Sequence, residues 1–322
     1  VALGALPERV LGRRLIPLAY TETELRAQIE ALDAERPLYA YADADVGELY
    51  RERVPPVDLM CAGPRVVPLL EEALERARAQ ADGPRQLLLA RMLAVLGSRA
   101  GVPVLVKALE EALSGERLPG RGEGVPHVGV PPDQGAAPEA AHLLYALGLA
   151  RDRRALPLWR RAVELLATAT REAVFDRRQA LYFYAASICY GCEQLGDPEA
   201  VPILRQLHGY RPFHGHARPA GPPLAGVQAD YRKERLAYLE TLIGRALARC
   251  GSALGYVILI DYLRDARALL AEHAHGELVD ISGCDYGKNP AAWGQWLEEA
   301  GEELGPVPWR GPSEPVAAWG EP

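Results

Sequence analysis

Leu195-Gly196-Asp197-Pro198-Glu199-Ala200-Val201-Pro202-Ile203-Leu204 joins the end of one apolar helical stretch to the start of the next. Asp197 is suited to cap the second helix, because a short side-chain oxygen accepts an orphan backbone N–H there. Taken as an anchor, Asp197 has counterparts at Ser98, Asp152 and Ser252. Three residues on stand Gly101, Ala155, Ala200 and Gly255, all small. Four on stand Val102, Leu156, Val201 and Tyr256; seven on stand Leu105, Trp159, Leu204 and Leu259. The fifth position is Pro103, Pro157, Pro202 or Val257. A weaker copy starts at Gly63, with Val67, Pro68 and Leu70 at the matching offsets. The prolines lie too deep to follow the cap directly. They predict a short turn from anchor to proline, with the second helix starting near the proline.

The flanking segments carry helical periodicity. Leu105, Leu109, Ala112 and Leu113 fall on one stripe, as do Trp159, Ala162, Val163 and Leu166, and Leu259, Tyr262, Leu263 and Ala266. Upstream of each anchor, 85–96, 139–149, 178–194 and 235–250 are apolar over more of their circumference, as an inner helix between neighbours should be. Anchor spacings of 35, 54, 45 and 55 residues imply one bare helix pair and longer ones with insertions. The insertions are 114–137, dense in Gly and Pro, and 209–226 (GYRPFHGHARPAGPPLAG). In repeat arrays such insertions project on one side, often the working side. The only strand-like stretch is Leu38–Tyr41.

The turn resembles that of HEAT-like repeats, in which a helix ends in Leu-Gly-Asp and returns through an Ala-x-Pro-x-Leu helix. The resemblance covers about residues 58–275 and implies an all-α, right-handed α-solenoid of about five helix pairs. Such arrays serve as scaffolds, inhibitors, lyases and enzyme appendages. A narrower likeness follows in Arg249-Cys250-Gly251, then Tyr262-x-x-Asp265-x-Arg267-x-x-x-Ala271-x-His273-Ala274. That register is similar to the helical C-terminal region of bacterial FAD-dependent oxidoreductases, and Gly215-His216-Ala217 looks like a short element preceding it there. Ser252 to Gly255 departs from the acidic, Tyr-Gly-containing turn that family more often has. The resemblance implies a non-catalytic helical domain or subunit, its FAD carried by a flavoprotein domain or subunit and not by these residues. The alternatives are a free-standing protein-binding scaffold and a HEAT-type lyase or chaperone for a chromophore.

The ends read differently from the middle. Residues 1–57 form an irregular segment with one or two helices, one starting at the capping box Thr21-Glu22-Thr23-Glu24. Residues 276–304 read as a cap. There Asn289-Pro290 starts a helix whose Trp293, Trp296 and Leu297 share one face, and Ile281–Gly287 is similar to a terminal element of other HEAT-like arrays. The tail, 305–322, is Pro-rich with Trp309 and Trp319, extended along the array or docked on a partner.

Composition excludes several classes. Apolar residues are 49% and charged residues 25%, a globular balance, and no window is apolar enough for a membrane span. A net charge of −7 argues against nucleic acid as a partner. Three Lys among 36 basic residues and a single Asn fit a GC-rich genome or a thermophile. Met stands only at Met60 and Met92, so residue 1 is not a translation start, and a processed product or a piece of a larger chain is expected. Five cysteines make no disulfide framework and point to reduced, buried thiols in a cytoplasmic setting.

Candidate sites are few. Gly120, Gly122 and Gly124 have the wrong spacing and context for a dinucleotide loop. His208, His214, His216, His273 and His275 crowd the C-terminal half, and His216 with His273 are the metal-ligand candidates, with Cys250 or Asp265 near in sequence. Cys189-Tyr190-Gly191-Cys192 has redox spacing but sits on an apolar helix, where two small core residues are expected. Arg151, Arg153, Arg154, Arg160 and Arg161 are either an acidic-partner or phosphate site or a solvated face. Arg153, Arg154, His214, His216, Trp309 and Trp319 are the partner-binding candidates. No catalytic residue is assigned.

Overall fold

The computed structural model describes residues 20–32, 59, 62–119, 138–171, 177–218 and 231–309. Among them every regular element is a helix and no strand occurs, so the described residues are all-α. Leu38–Tyr41, Gly120, Gly122, Gly124, Cys61, Trp319 and the outer part of each insertion lie outside the described residues. The chain divides into two compact units, Val1–Gly191 and Cys192–Pro322.

In the first unit, α1 (Glu22–Glu30), α2 (Val67–Ala79), α3 (Gly83–Val95), α4 (Val102–Ala112), α5 (Glu139–Leu149) and α6 (Ala155–Arg171) follow in order. α7 (Arg177–Leu195) runs through the point of division. α1 begins as the sequence predicts: the Thr21 hydroxyl accepts from the Glu24 amide and the Glu24 carboxylate accepts from the Thr21 amide. α3 packs on both α4 and α5, and α4 on both α5 and α6. Leu25, Ile29, Leu70, Leu74, Leu89, Met92 and Leu93 form the buried cluster at the N-terminal end. Farther on, Trp159 is buried and donates its indole N–H to Leu144 O at 3.2 Å. Its room comes from glycines. A Cβ on Gly191 would lie 2.5 Å from Trp159 Cζ2, and one on Gly148 would lie 2.2 Å from Gly191 Cα.

In the second unit, α8 (Val201–His208), α9 (Tyr231–Arg249), α10 (Ala253–Tyr262), α11 (Ala268–Ser282) and α12 (Pro290–Ala300) follow. α9 packs on α8, α10 and α11, and α10 packs on α11 and α12. Asn289 caps α12 by accepting from the Ala291 and Ala292 amides, and Pro290 fills the first turn. Trp293 is buried, donates to Gly287 O at 2.8 Å, and meets Tyr286 and Trp296 edge-on. Trp296 stacks obliquely on Tyr256, tying this terminal helix to α10.

The anchored turn has one geometry at four places. The residue before each anchor is left-handed: Gly97 (φ 78°), Arg151 (φ 51°), Gly196 (φ 60°) and Gly251 (φ 84°). Arg151 holds without glycine a conformation that costs an L-residue ~1–2 kcal/mol. At Gly63 the left-handed residue is the anchor itself (φ 64°). The helices then begin at Val67, Val102, Ala155 and Val201, so Pro68, Pro103, Pro157 and Pro202 fall in first turns, where their missing N–H leaves no gap. The helices that precede the anchors occupy 83–95, 139–149, 177–195 and 231–249. Position three after the anchor is small because helices cross there. A Cβ on Gly101 would meet Ala90 Cα at 2.5 Å, and one on Gly255 would meet Ala248 N at 2.1 Å.

Capping by the anchors is not uniform. Asp197 accepts from the Glu199 amide at 2.9 Å, Asp152 from the Arg154 amide at 3.0 Å, and Ser98 from the Ala100 amide at 3.2 Å. Ser252 departs from the expected cap: its hydroxyl is buried and makes no hydrogen bond. The turn there is closed by the backbone, with the Ser252 amide donating to Leu247 O at 2.9 Å.

Candidate functional site

The described part of the second insertion, 209–218, folds back onto α9 and the residues after α10. After α8 the chain makes a short 3₁₀ turn, Arg211–Phe213, which buries Phe213, and then extends through Gly215 (φ 78°) to Arg218. Two buried carboxylates hold this loop. Glu240 on α9 accepts from the Gly215 amide at 2.8 Å, the His216 amide at 2.7 Å and the Tyr262 hydroxyl at 2.8 Å. Asp265, after α10, accepts from the Arg218 amide at 2.7 Å and from Arg267 Nε and Nη2, both at 2.7 Å. Arg267 also donates to His216 O at 2.6 Å, and the Ala266 amide to Arg218 O at 2.8 Å.

The electrostatics follow from those donors. Burial alone would raise the Glu240 carboxyl. The nearby His208 imidazole, the His216 amide, the Tyr262 hydroxyl and the Gly215 amide outweigh it and bring the value down to about 2. His208 Nε2, 3.5 Å from Glu240, makes an electrostatic contact there and no hydrogen bond. Burial likewise opposes ionisation of Asp265, and Arg267 with the Arg218 and Arg267 amides holds it below the ordinary carboxylate range. Burial and the Glu240 charge push the Tyr262 hydroxyl upward, so it remains a donor. A carboxylate held near 2, with donors on both oxygens, is a poor general base at neutral pH. What this arrangement does is hold the loop's backbone in place.

The predicted histidines meet different fates. His216 Nε2 lies 2.9 Å from Pro212 O and His214 Nδ1 lies 3.0 Å from His208 O. A carbonyl only accepts, so each of those ring nitrogens carries a proton. His214 is exposed, and His273 packs edge-on to Tyr238. His275 pairs with Asp285 at 2.9 Å. Among the described residues no group of three or more His, Cys, Asp or Glu side chains is placed to hold a metal ion, and His216 with His273 form no such group. Cys189, Cys192 and Cys250 are buried. Arg153 and Arg154 are exposed, with Arg154 held to Asp152 at 2.8 Å. Trp309 is half-buried on the second unit, its amide donating to Glu193 O at 2.8 Å.

A charged cluster went unnoticed in the sequence. Glu193 on α7 is buried and takes Arg245 of α9 in a fork, at 2.5 and 2.7 Å. Arg245 reaches Glu277 of α11 at 3.1 Å, and Arg249, one turn along α9, reaches Glu277 at 2.9 Å and also Asp280. Burial pushes the Glu193 carboxyl up, against the pull of Arg245. The i, i+4 spacing of Arg245 and Arg249 puts both on one face, and that was the available signal. No helix among the described residues is long and apolar enough to cross a membrane. No protein-family model, curated protein or solved structure matches this chain.

Proposed function

We propose that this chain is a HEAT-like helical-repeat module, a right-handed α-solenoid of about five helix pairs, that accompanies an FAD-dependent oxidoreductase. It contributes no catalytic group of its own and either braces the flavin domain or shapes its substrate entrance. The flavin and the redox chemistry belong to a partner domain or subunit. The observation that carries this reading is the convergence of Gly215-His216 with Tyr262, Asp265 and Arg267. Segments of one resemblance, separate in sequence, are knit by hydrogen bonds into one clamp. Repetition of the left-handed turn, and the packing of helices on their next and next-but-one neighbours within each unit, support the repeat architecture. The test is a visible spectrum of the complex purified under mild conditions from its native source. A flavin band co-eluting with this chain is expected; a colourless, partner-free preparation would sink the reading.

A free-standing protein-binding scaffold is the second reading. Among the described residues three large apolar side chains are exposed on the second unit, Leu269 at 70%, Val257 at 44% and Tyr286 at 41%, and they suit a protein partner under either reading. Analytical ultracentrifugation of that native preparation separates the two, since the scaffold reading expects a monomer without pigment.

A further inference from the structure

The last described residues, Leu304–Trp309, belong to no helix, start from an extended Leu304 and run over the turns at Gly251 and Gly196. Val307 exchanges two hydrogen bonds with Arg249: its amide donates to Arg249 O at 2.9 Å, and its carbonyl accepts from Arg249 Nη1 at 3.4 Å. The Trp309 amide donates to Glu193 O at 2.8 Å. Amides two residues apart leave an extended chain on the same edge, and the residue between them points its amide away. Prolines occupy 306 and 308, where no donor toward the protein is needed.

The floor of this path is glycine. A Cβ on Gly196 would stand 2.3 Å from Pro308 Cγ and 2.8 Å from its Cα. One on Gly251 would stand 3.2 Å from Leu304 O and 3.3 Å from Pro306 N. The equivalent Gly97 of the first unit, with the same left-handed backbone, has nothing within 4 Å of that position. Two turns of the second unit therefore combine bare backbone acceptors, a fixed guanidinium and cleared space.

We propose that the row of turns carrying Gly196 and Gly251 is a docking groove for an extended peptide with proline at alternate positions. Leu304–Trp309 is its occupant in cis, a strap that a peptide partner of the same pattern must displace. The inference goes beyond the oxidoreductase reading and stands without it.

The test uses the full chain. Hydrogen exchange followed by mass spectrometry reads the Val307 and Trp309 amides in the native protein, in Gly196→Ala and in Gly283→Ala. Gly283 is also left-handed (φ 72°) but has nothing within 4 Å, so its substitution carries the backbone strain alone. Gly196→Ala is expected to accelerate exchange of the strap about tenfold or more while α9 and α10 stay protected; Gly283→Ala is expected to leave the strap as it was. In the second arm, Val307→Pro removes the first strap donor without touching the groove. A fluorescent peptide of the sequence Leu304–Trp309 is expected to bind that variant and to bind the native chain at least about tenfold more weakly, because the tethered strap competes at high effective concentration. Equal strap protection in Gly196→Ala and Gly283→Ala would overturn the proposal. So would failure of the peptide to bind Val307→Pro, or equal binding to both chains.

Discussion

Glu240→Gln removes one charge from the loop clamp and almost no volume. The carboxylate accepts from two backbone amides and one hydroxyl, the Gly215 amide on one oxygen and the His216 amide and Tyr262 hydroxyl on the other. An amide has a single acceptor oxygen. Placed toward His216 and Tyr262, it turns its NH₂ onto the Gly215 N–H, donor against donor; placed the other way, it strands two donors. Each orphaned buried donor costs ~1–3 kcal/mol, and the exposed loop recovers part of that by opening to water, leaving ~1–3 kcal/mol for the substitution. The charge itself matters only above its protonation range. Glu240 has its value lowered from an ordinary 4.5 to about 2, so its contribution is fully present above the ordinary value and is lost as pH falls through about 2. At ~1.4 kcal/mol per unit the bound is ~3 kcal/mol, which water at the open edge of the loop reduces to ~1–2 kcal/mol.

The chain has two compact units, so one unfolding midpoint would average them. Amide exchange at Gly215 and His216 reads the clamp itself. Glu240→Gln is expected to accelerate exchange there about tenfold or more at neutral pH, and the native protein is expected to lose the same protection only as pH falls from about 4.5 toward about 2. Unchanged protection in Glu240→Gln would refute the reasoning and leave the loop held by Asp265 and Arg267 alone.

The other expectations concern the turns and the buried groups. Asp197→Ala deletes a cap and should cost ~1 kcal/mol, read from exchange of the slowest amides of the second unit, whereas Ser252→Ala removes a buried hydroxyl without a partner and should fall within ~0.5 kcal/mol of native or above it. Arg249→Met breaks the buried bridge to Glu277 and Asp280 and should cost ~2–4 kcal/mol, measured the same way. Burial, with the charges of Glu193 and Asp197, pushes the Cys250 thiol up to about 12, so native-state alkylation followed by mass spectrometry should spare Cys250 and reach the half-buried Cys284 before it.

The helix pairs were legible because their signal is local. An apolar stripe, a capping residue and a first-turn proline lie within a dozen residues of one another after each anchor, whereas the helices before the anchors, expected from 85, 178 and 235, begin at Gly83, Arg177 and Tyr231. The clamp was only half legible. Tyr262, Asp265, Arg267 and Gly215-His216 stood out through a resemblance, but Glu240 is an unremarked Glu in a charged helix until the loop from 209 to 218 folds onto it. Its burial depends on a chain reversal that no periodicity records. The same holds for Glu193, Arg245 and Glu277, which come from three helices. Ser252 shows the converse: the pattern names a cap, yet the turn closes through Leu247 O and leaves the hydroxyl idle.

The anchored turn separates two demands that a glycine meets at once. One is conformation. Gly97, Arg151, Gly196 and Gly251 all have positive φ, and Arg151 shows that an L-residue can bear it. The other is clearance, which Gly97 does not need and Gly196 does, since only the latter has Pro308 within 2.3 Å of the missing Cβ. Asn tolerates left-handed backbone better than other side chains, so it keeps the first cost small at both sites. Gly97→Asn should therefore cost ~0.5–1 kcal/mol and disturb nothing else. Gly196→Asn should cost more, by ~1–3 kcal/mol for the forced displacement of a packed neighbour, with the excess accompanied by faster exchange at Val307 and Trp309. Equal costs at the two glycines, each read from exchange of the slowest amides of its own unit, would mean that conformation alone keeps glycine at these turns.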